Sequence, residues 1–192
     1  SGDTITVNEN GFLRMQLDND KYVYLEGAAL IHLIAEGDEK DSKTVINIEL
    51  GTMITEVQNK LSDRSSYEIN TPSTTMAIRG TITVTEVTYD LKEQENAVSK
   101  DALLQFLLER NGYAEIDIDE NTDPSLSEMQ STLKAVFEQG VDVAASNYVQ
   151  EGKVQISTFE KENAEGTTYL TVVQIPVEAG NGFTKTTAVE DS

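Results

Sequence analysis

The stretch Thr75-Met-Ala-Ile-Arg-Gly-Thr-Ile-Thr-Val-Thr85 alternates apolar and polar side chains more regularly than any other part of the chain. Such a pattern predicts a β-strand with one buried and one mostly polar face. Gly80 falls where a side chain should enter the core, which indicates a bulge or a close backbone approach. Arg79 shares the threonine face, where we expect its guanidinium to satisfy exposed carbonyls as a structural brace. The buried face is predicted to carry Met76, Ile78, Ile82 and Val84.

Short strand patterns surround this stretch. Apolar segments separated by Gly11, Gly27, Gly37 and Gly51 recur from residue 3 to residue 87. They comprise Phe12 to Leu17, Tyr22 to Leu25, Ala28 to Ile34, Val45 to Leu50, Met53 to Val57 and Tyr67 to Ile69. Strand character resumes at Val154, Ile156 and Phe159, and then from Tyr169 to Ile175. Many short strands with frequent turns predict a mainly β fold, a sandwich or roll of antiparallel strands.

Two helices interrupt the strand patterns. Ser99 is predicted to cap a helix that runs to Arg110. A second helix is predicted by an apolar stripe that ends at Gly140, with Leu126, Met129, Leu133, Val136 and Phe137 on one face. We therefore expect one β domain over residues 1–192, whose core is formed by 3–88 and 151–183. An inserted two-helix segment would form a subdomain over 89–150.

Charge and composition exclude several classes of function. The 192 residues include 14 basic and 34 acidic side chains, which give a formal net charge of −20. A field of this sign repels phosphate backbones and anionic headgroups, so we expect no nucleic-acid partner. The sequence has no cysteine, which removes disulfides, thiolate catalysis and thiolate zinc sites. No apolar run approaches the roughly 20 residues that span a bilayer, so we expect no membrane insertion by this segment.

No pattern typical of an active site is present. His32 is the only histidine, and its place within Leu30-Ile-His-Leu-Ile34 favours a structural role. Carboxylates are so numerous that no acid–base dyad stands out, and no glycine-rich phosphate loop leads from a strand into a helix. We therefore expect that the chain is not an enzyme. A hydrolase that uses scattered carboxylates ranks last among the alternatives.

One segment carries a pattern typical of a metal site. Calcium prefers clustered oxygen ligands, and the spacing D-x-D-x-N with a glutamate at the twelfth position matches the ligands of an EF-hand loop. The residues that fit this pattern are Asp117, Asp119, Asn121, Asp123 and Glu128. The pattern supports an alternative function, a calcium-dependent surface or adhesion domain.

Helix capping explains the same residues without a metal. Thr122 stands where the EF-hand loop has its glycine, and Pro124 restricts the loop. Ser125 followed three residues later by Glu128 is a capping box, and Asp123-Pro124 can equally open a helix. We therefore expect no cofactor, with calcium as the alternative.

The run Tyr67-Glu-Ile-Asn-Thr-Pro-Ser-Thr-Thr-Met-Ala-Ile-Arg-Gly-Thr81 resembles the signature of FecR domains, a Thr-Pro pair followed by an Ala-x-Arg-Gly-Thr strand. Gly2-Asp-Thr-Ile5 and Leu50-Gly-Thr-Met53 resemble the opening strand and the hairpin of that family. Glu151-Gly-Lys-Val154 and Val177-Glu-Ala-Gly180 resemble its later strand and closing turn. The segment from Tyr89 to Gln150 departs from the pattern.

The resemblance implies a bacterial cell-envelope protein whose domain is extracytoplasmic, at the cell surface or in the periplasm, and anchored upstream. The best-known members relay an iron-siderophore signal from an outer-membrane receptor to a sigma factor. The expected function is therefore a regulatory, protein-binding signalling module with no catalysis. The family supplies no catalytic residues, and its motif residues would be fold determinants: Thr71, Pro72, Arg79, Gly80 and Thr81.

Overall fold

Eleven strands and two α-helices make up the computed structural model, which describes residues 2–38, 40–114 and 124–189. The first seven strands are β1 (Asp3–Val7), β2 (Phe12–Asp18), β3 (Lys21–Glu36), β4 (Lys43–Val57), β5 (Ser66–Asn70), β6 (Thr74–Ile78) and β7 (Ile82–Asp90). A short 3₁₀ helix (Lys92–Gln94) leads to α1 (Lys100–Arg110) and α2 (Pro124–Gln139). The last four strands are β8 (Asp142–Glu151), β9 (Lys153–Ala164), β10 (Thr167–Glu178) and β11 (Gly182–Ala188).

The sheet divides at β4. One edge of β4 pairs with β3 along its length, and β3 in turn carries β1 and β2. On the other edge, residues 43–47 pair in parallel with β5, whereas residues 51–56 pair antiparallel with β7. Two branches therefore leave β4: branch A, with the order β5-β6-β9-β10, and branch B, with the order β7-β8-β11. Together they form a near-barrel.

All three connections between the branches lie close together. The chain passes from β6 to β7 at residues 79–81, from β8 to β9 at Gly152, and from β10 to β11 at residues 179–181. A Cβ on Gly152 would lie 2.8 Å from the Gly80 carbonyl oxygen, and the Ala179 amide donates to the Gly152 carbonyl at 3.1 Å. We call these three connections the corner. The branches meet there.

The molecule has two clusters of buried apolar side chains. The larger cluster draws on both branches and on β3 and β4, with Leu25, Ile48, Met76, Val87 and Ile156 among its members. The smaller cluster joins the helices to the sheet, and it includes Leu30, Leu50, Leu104, Leu107, Leu133 and Phe137. The Gln130 side chain also donates a hydrogen bond of 2.9 Å to the Ala102 carbonyl, which ties α2 to α1. Among the described residues, neither helix has the length and apolar character of a bilayer-spanning segment.

The predicted mainly β fold with two inserted helices is confirmed. Helix α1 begins after Ser99, whose hydroxyl accepts the Ala102 amide at 3.1 Å as a capping residue should. Helix α2 begins at Pro124, so Ser125 lies within its first turn rather than at its N-cap. The strand pairs are antiparallel except for β4 and β5.

Strand boundaries differ from the prediction in two respects. Four of the five strand patterns before residue 58 form only two long strands, β3 and β4. Gly27 and Gly51, which separate those patterns, lie at register irregularities and not at turns. Strand β8 lies, except for its last residue, inside the range 89–150 that is predicted to form the helical insertion. Its inward side chains alternate with Ala144 and Ser146, and small residues of this kind give a weak strand signal.

The most consequential difference concerns the stretch around Gly80. It does not form one strand: β6 ends at Ile78, β7 begins at Ile82, and Gly80 between them has a φ of +100°. The buried face changes at this point. Met76 and Ile78 point into the core as expected, but after Gly80 the buried side chains are Thr81, Thr83, Thr85 and Val87. Ile82 and Val84 lie instead on the outer face, only partly buried.

Substitutions at the corner should therefore destabilise the fold. An alanine at residue 80 or 152 would hold a positive φ, at a cost on the order of 1 kcal/mol. At residue 152 the new methyl group would also lie 2.6 Å from Thr81 Cγ2 and 2.8 Å from the Gly80 oxygen. Because the backbone must shift to relieve these contacts, we expect Gly152→Ala to lower the free energy of unfolding by roughly 1–3 kcal/mol beyond the cost of the positive φ. Denaturant titration of Gly80→Ala and Gly152→Ala measures the two losses.

Gly166→Ala is the matched control for Gly152→Ala. Gly166 has a φ of +77° in the turn between β9 and β10, and a Cβ there would meet no atom within 4 Å. Gly166→Ala should therefore lower the free energy of unfolding only by the cost of the positive φ, on the order of 1 kcal/mol. Equal losses at residues 152 and 166 would contradict the close packing of the corner.

Candidate functional site

The Thr-Pro pair forms a hydrogen-bonded turn at the start of β6. The Thr71 amide donates to the Thr74 carbonyl at 2.9 Å. The Thr71 hydroxyl accepts the amides of Ser73 and Thr74 at 3.2 and 2.9 Å, and it lies 2.7 Å from the Thr74 hydroxyl. These bonds fix the turn at the end of β6 that lies opposite the corner.

A buried asparagine connects this turn to branch B. Asn147 donates to the Thr74 hydroxyl at 3.1 Å, and its carbonyl oxygen accepts the Thr85 hydroxyl at 3.1 Å. All three side chains are buried, so each bond satisfies a polar group that water cannot reach. The bonds join β6 of branch A to β7 and β8 of branch B.

An open cleft of about 1180 Å³ lies where the branches separate, away from the corner. Branch A contributes Thr71–Thr75 and, from β9 and β10, the side chains of Phe159, Lys161 and Leu170. Branch B contributes residues 185–188 of β11, and α1 contributes its C-terminal end with Arg110. A strand turn, a hairpin and a helix end thus surround one cleft.

The wall formed by the β9–β10 hairpin is apolar and exposed. Phe159 is paired in register with Val172, and Lys161 with Leu170, so these four side chains share one face. The exposed fractions of Phe159, Leu170 and Val172 are 59%, 62% and 56%. The cause is topological: β6 pairs with residues 155–158 of β9 only, so the hairpin extends beyond its partner strand.

Basic side chains converge on the cleft although the chain as a whole is strongly acidic. Arg110, Lys161 and Lys185 line it, whereas Glu49 is the single acidic residue among the described residues that do so. Burial raises the pKa of the Glu49 carboxyl. The Tyr89 hydroxyl donates to the Glu49 carbonyl at 2.8 Å, and its pKa is raised by burial and by the Glu49 charge. The cleft therefore suits an anionic group flanked by apolar side chains.

The predicted motif residues divide between the two ends of β6. Thr71 and Pro72 line the cleft, whereas Arg79, Gly80 and Thr81 lie at the corner. Arg79 is exposed and makes no hydrogen bond or ion pair with any described residue, so the expected bracing role is not what the structure shows. The physical reason is the change of face at Gly80, which turns the threonines inward and leaves Arg79 outside.

Four of the five candidate calcium ligands lie outside the described residues: Asp117, Asp119, Asn121 and Asp123. The fifth, Glu128, is an exposed residue of α2. Within the described ranges, no three or more histidine, cysteine, aspartate or glutamate side chains are grouped so that they could hold a metal ion.

His32 has structural contacts. Its Nδ1 lies 3.1 Å from the Thr4 hydroxyl, and its ring stacks on Tyr113 at 4.9 Å between centroids. The histidine thus joins β1 and β3 to the residues that follow α1.

Sequence reasoning missed Asn147, Lys185 and the exposed face of the hairpin. The first two lie in β8 and β11, whose small and polar residues gave no strand pattern. Phe159 lies in a strand as its pattern predicts, but a sequence pattern does not reveal whether another element covers the side chain. The exposure arises because the β9–β10 hairpin is longer than its partner strand β6, and no sequence pattern indicates this difference in length.

We expect Arg79→Ala to leave stability unchanged within about 0.5 kcal/mol, because the side chain is exposed and makes no polar contact with the described residues. Thermal and denaturant unfolding test this. A loss of about 1 kcal/mol or more would mean that the guanidinium satisfies buried carbonyls after all.

We expect Glu49→Gln to stabilise the protein at pH 7. A raised pKa in the folded state means that the folded protein binds this proton more tightly than the unfolded chain does, so the charged form costs stability. The advantage of the glutamine should be fully present above the raised pKa. It should vanish as the pH falls below the ordinary glutamate value of 4.5.

The measurement is the difference in free energy of unfolding between the variant and its parent across that range. Glu93→Gln, on the exposed 3₁₀ helix, controls for the loss of one negative charge from an acidic protein. A stabilisation by Glu49→Gln that persists unchanged below pH 4.5 would contradict burial of the carboxylate as its cause.

Comparison with known proteins places the chain in a family. Two crystal structures, each of a candidate anti-sigma factor from Parabacteroides distasonis, resemble it at 12% sequence identity, with TM-scores of 0.46 and 0.45. The similarity covers 97% and 96% of this chain, which spans 60% and 59% of those two chains. No curated protein matches. The family model described as FecR protein matches residues 3–101, which is just over half of the sequence and includes β1–β7. The chain therefore belongs to the FecR family.

Proposed function

We propose that this chain is an extracytoplasmic protein-interaction and signalling module of a bacterial cell-envelope protein, and that its partner binds in the cleft. The module would have no catalytic activity, and an anchor upstream of it would hold it at the envelope. Membership of the FecR family supports the regulatory and extracytoplasmic parts of the proposal. The observation that supports the cleft as the binding site is the exposed apolar face of the hairpin, which lies beside three basic side chains.

The chemistry of the cleft favours a protein segment with acidic and apolar side chains. Phe159, Leu170 and Val172 would each lose much of their exposed apolar surface on contact with a partner, at roughly 25 cal/mol per Å². Arg110, Lys161 and Lys185 would meet carboxylates and select the charge of the partner. The remainder of the surface repels acidic segments, so the cleft would be where such a segment is attracted.

The geometry also limits how far such a partner must distort the module. The Asn147 bonds hold the branches together, and the hairpin extends past them as two strands. A partner that contacts the hairpin face therefore need not open the core. The hairpin is the element best placed to adjust its position on binding.

Site-specific cross-linking tests the proposal in cells of the source bacterium that express the whole protein. A photoreactive amino acid at Leu170 faces the cleft, whereas one at the exposed neighbour Thr171 faces the other side of the same strand. We expect a defined protein adduct from position 170 and none from position 171. Lys185→Glu should reduce the yield of the adduct about tenfold, since it reverses one charge in the cleft.

Equal adducts from positions 170 and 171, or a yield that Lys185→Glu leaves unchanged, would contradict binding in the cleft. Recovery of the adduct only from the cytoplasmic fraction would contradict the extracytoplasmic part of the proposal.

A further inference from the structure

A row of outward-facing side chains crosses five strands on the far side of the sheet from the core. Strand register pairs Arg14 with Tyr24, Tyr24 with Ile54, Ile54 with Val84, and Val84 with Tyr148. We call these five residues the outer row. Ile54 and Tyr148 have exposed fractions of 38% and 45%, and Tyr24 and Val84 are partly buried. The row is therefore continuous and accessible.

Neighbouring side chains widen the row into an apolar patch. Tyr22 and Ile82 lie on the same outer face two residues away from Tyr24 and Val84, and both are partly buried. Phe12, with an exposed fraction of 66%, lies on the other side of Arg14. Contiguous apolar patches of this kind on a folded domain commonly mark interaction sites.

Helical cover stops short of this patch. Helices α1 and α2 pack on Ala28, Leu30 and Leu50, in the adjoining parts of β3 and β4. The outer row continues along the same two strands from Tyr24 and Ile54, where neither helix takes part in the packing. The sheet thus presents an apolar outer face that its own helices cover only in part.

Strand β7 directs threonines inward and aliphatic side chains outward, an arrangement that does not favour the stability of the fold. Val84 faces outward while Thr83 and Thr85 are fully buried, and the hydroxyls of Thr81 and Thr83 make no hydrogen bond with any described residue. Leaving a buried hydroxyl unpaired costs roughly 1–3 kcal/mol. A strand with the opposite arrangement, apolar inside and threonine outside, would fold more favourably. Packing of the core therefore does not explain why Ile82 and Val84 face outward, and a binding role for these side chains would.

Charge identifies the kind of partner. Glu26, Glu56 and Glu86 flank the row, and none of them forms a salt bridge with a described residue. Arg14 is the single cation within the row. It lies at one end over the rings of Tyr22 and Tyr24, at 5.3 and 5.7 Å from their centroids. An apolar centre between carboxylates fits an apolar ridge between lysine or arginine side chains.

We propose that the outer row is a second docking surface, and that it binds a protein that presents an apolar ridge flanked by basic side chains. A second copy of this chain is a poor occupant, because the two faces would bring carboxylates against carboxylates in molecules of net charge −20. The surface is distinct from the cleft, whose charges are of the opposite sign. The module thereby holds two partners of different character.

Two synthetic amphipathic helical peptides test the proposal with the whole chain. They share one apolar face and differ only in the residues that flank it, lysine in one and glutamate in the other. We expect the lysine peptide to bind at least about tenfold more tightly, with amide chemical shifts changing along the outer row. Ile54→Ser should weaken its binding about tenfold, and Glu86→Gln should weaken it less.

Val172→Ser is the matched control, since it removes an exposed apolar side chain from the hairpin and should leave binding of the lysine peptide unchanged. Because Glu86 is exposed, Glu86→Gln should keep the fold even if Ile54→Ser does not. Equal binding of both peptides, or shift changes confined to the cleft, would overturn the proposal. So would a dimer in sedimentation that Ile54→Ser dissociates, because the occupant would then be a second copy.

Discussion

The close approach of Gly80 to Gly152 at the corner is the constraint on which the arrangement of the strands depends. Only a residue without a Cβ allows the two connections to pass so near each other, and the positive φ of Gly80 decides which face of β7 turns inward. Buried threonines and outward aliphatic side chains follow from that one backbone conformation. The corner thus shapes both the interior and the outer row.

Separation of the branches away from the corner produces the cleft. Strands β6, β8, β9, β10 and β11 all begin or end at the corner, and their opposite ends diverge. There the Asn147 side chain bonds to Thr74, and the Ser73 hydroxyl donates to the Lys185 carbonyl at 3.4 Å, so that both bonds connect the branches. The cleft and the outer row therefore lie on different parts of one sheet. If both proposed sites bind partners, one sheet would present a basic apolar site and an acidic apolar site, as suits a module that relays contact from one protein to another.

Alternation along the chain predicted the mainly β fold, and an apolar stripe at helical spacing predicted α2, because both patterns reflect burial on one face. Helix α1 was predicted from its capping residue, Ser99. Alternation could not predict the face change at Gly80, since a sequence pattern does not reveal a backbone rotation at a glycine. It also could not predict that Phe159 is exposed, because exposure of the hairpin depends on where β6 ends. The resemblance identified the Thr71-Pro72 pair as a motif, but it did not reveal that the pair lines a cleft. The opposite wall of that cleft includes β11, whose threonines and Lys185 give no apolar pattern from which a strand could be predicted.

The position of β10 at the end of branch A has a consequence for solubility. Residues 169–175, Tyr-Leu-Thr-Val-Val-Gln-Ile, carry no charge and form a long edge strand, and such edges are templates for pairing between molecules. Pro176 removes one amide donor from this edge, and mutual repulsion of highly charged molecules keeps edges apart. That repulsion disappears near the isoelectric point of about 4.2. Mild acid would therefore favour aggregation of this domain through β10.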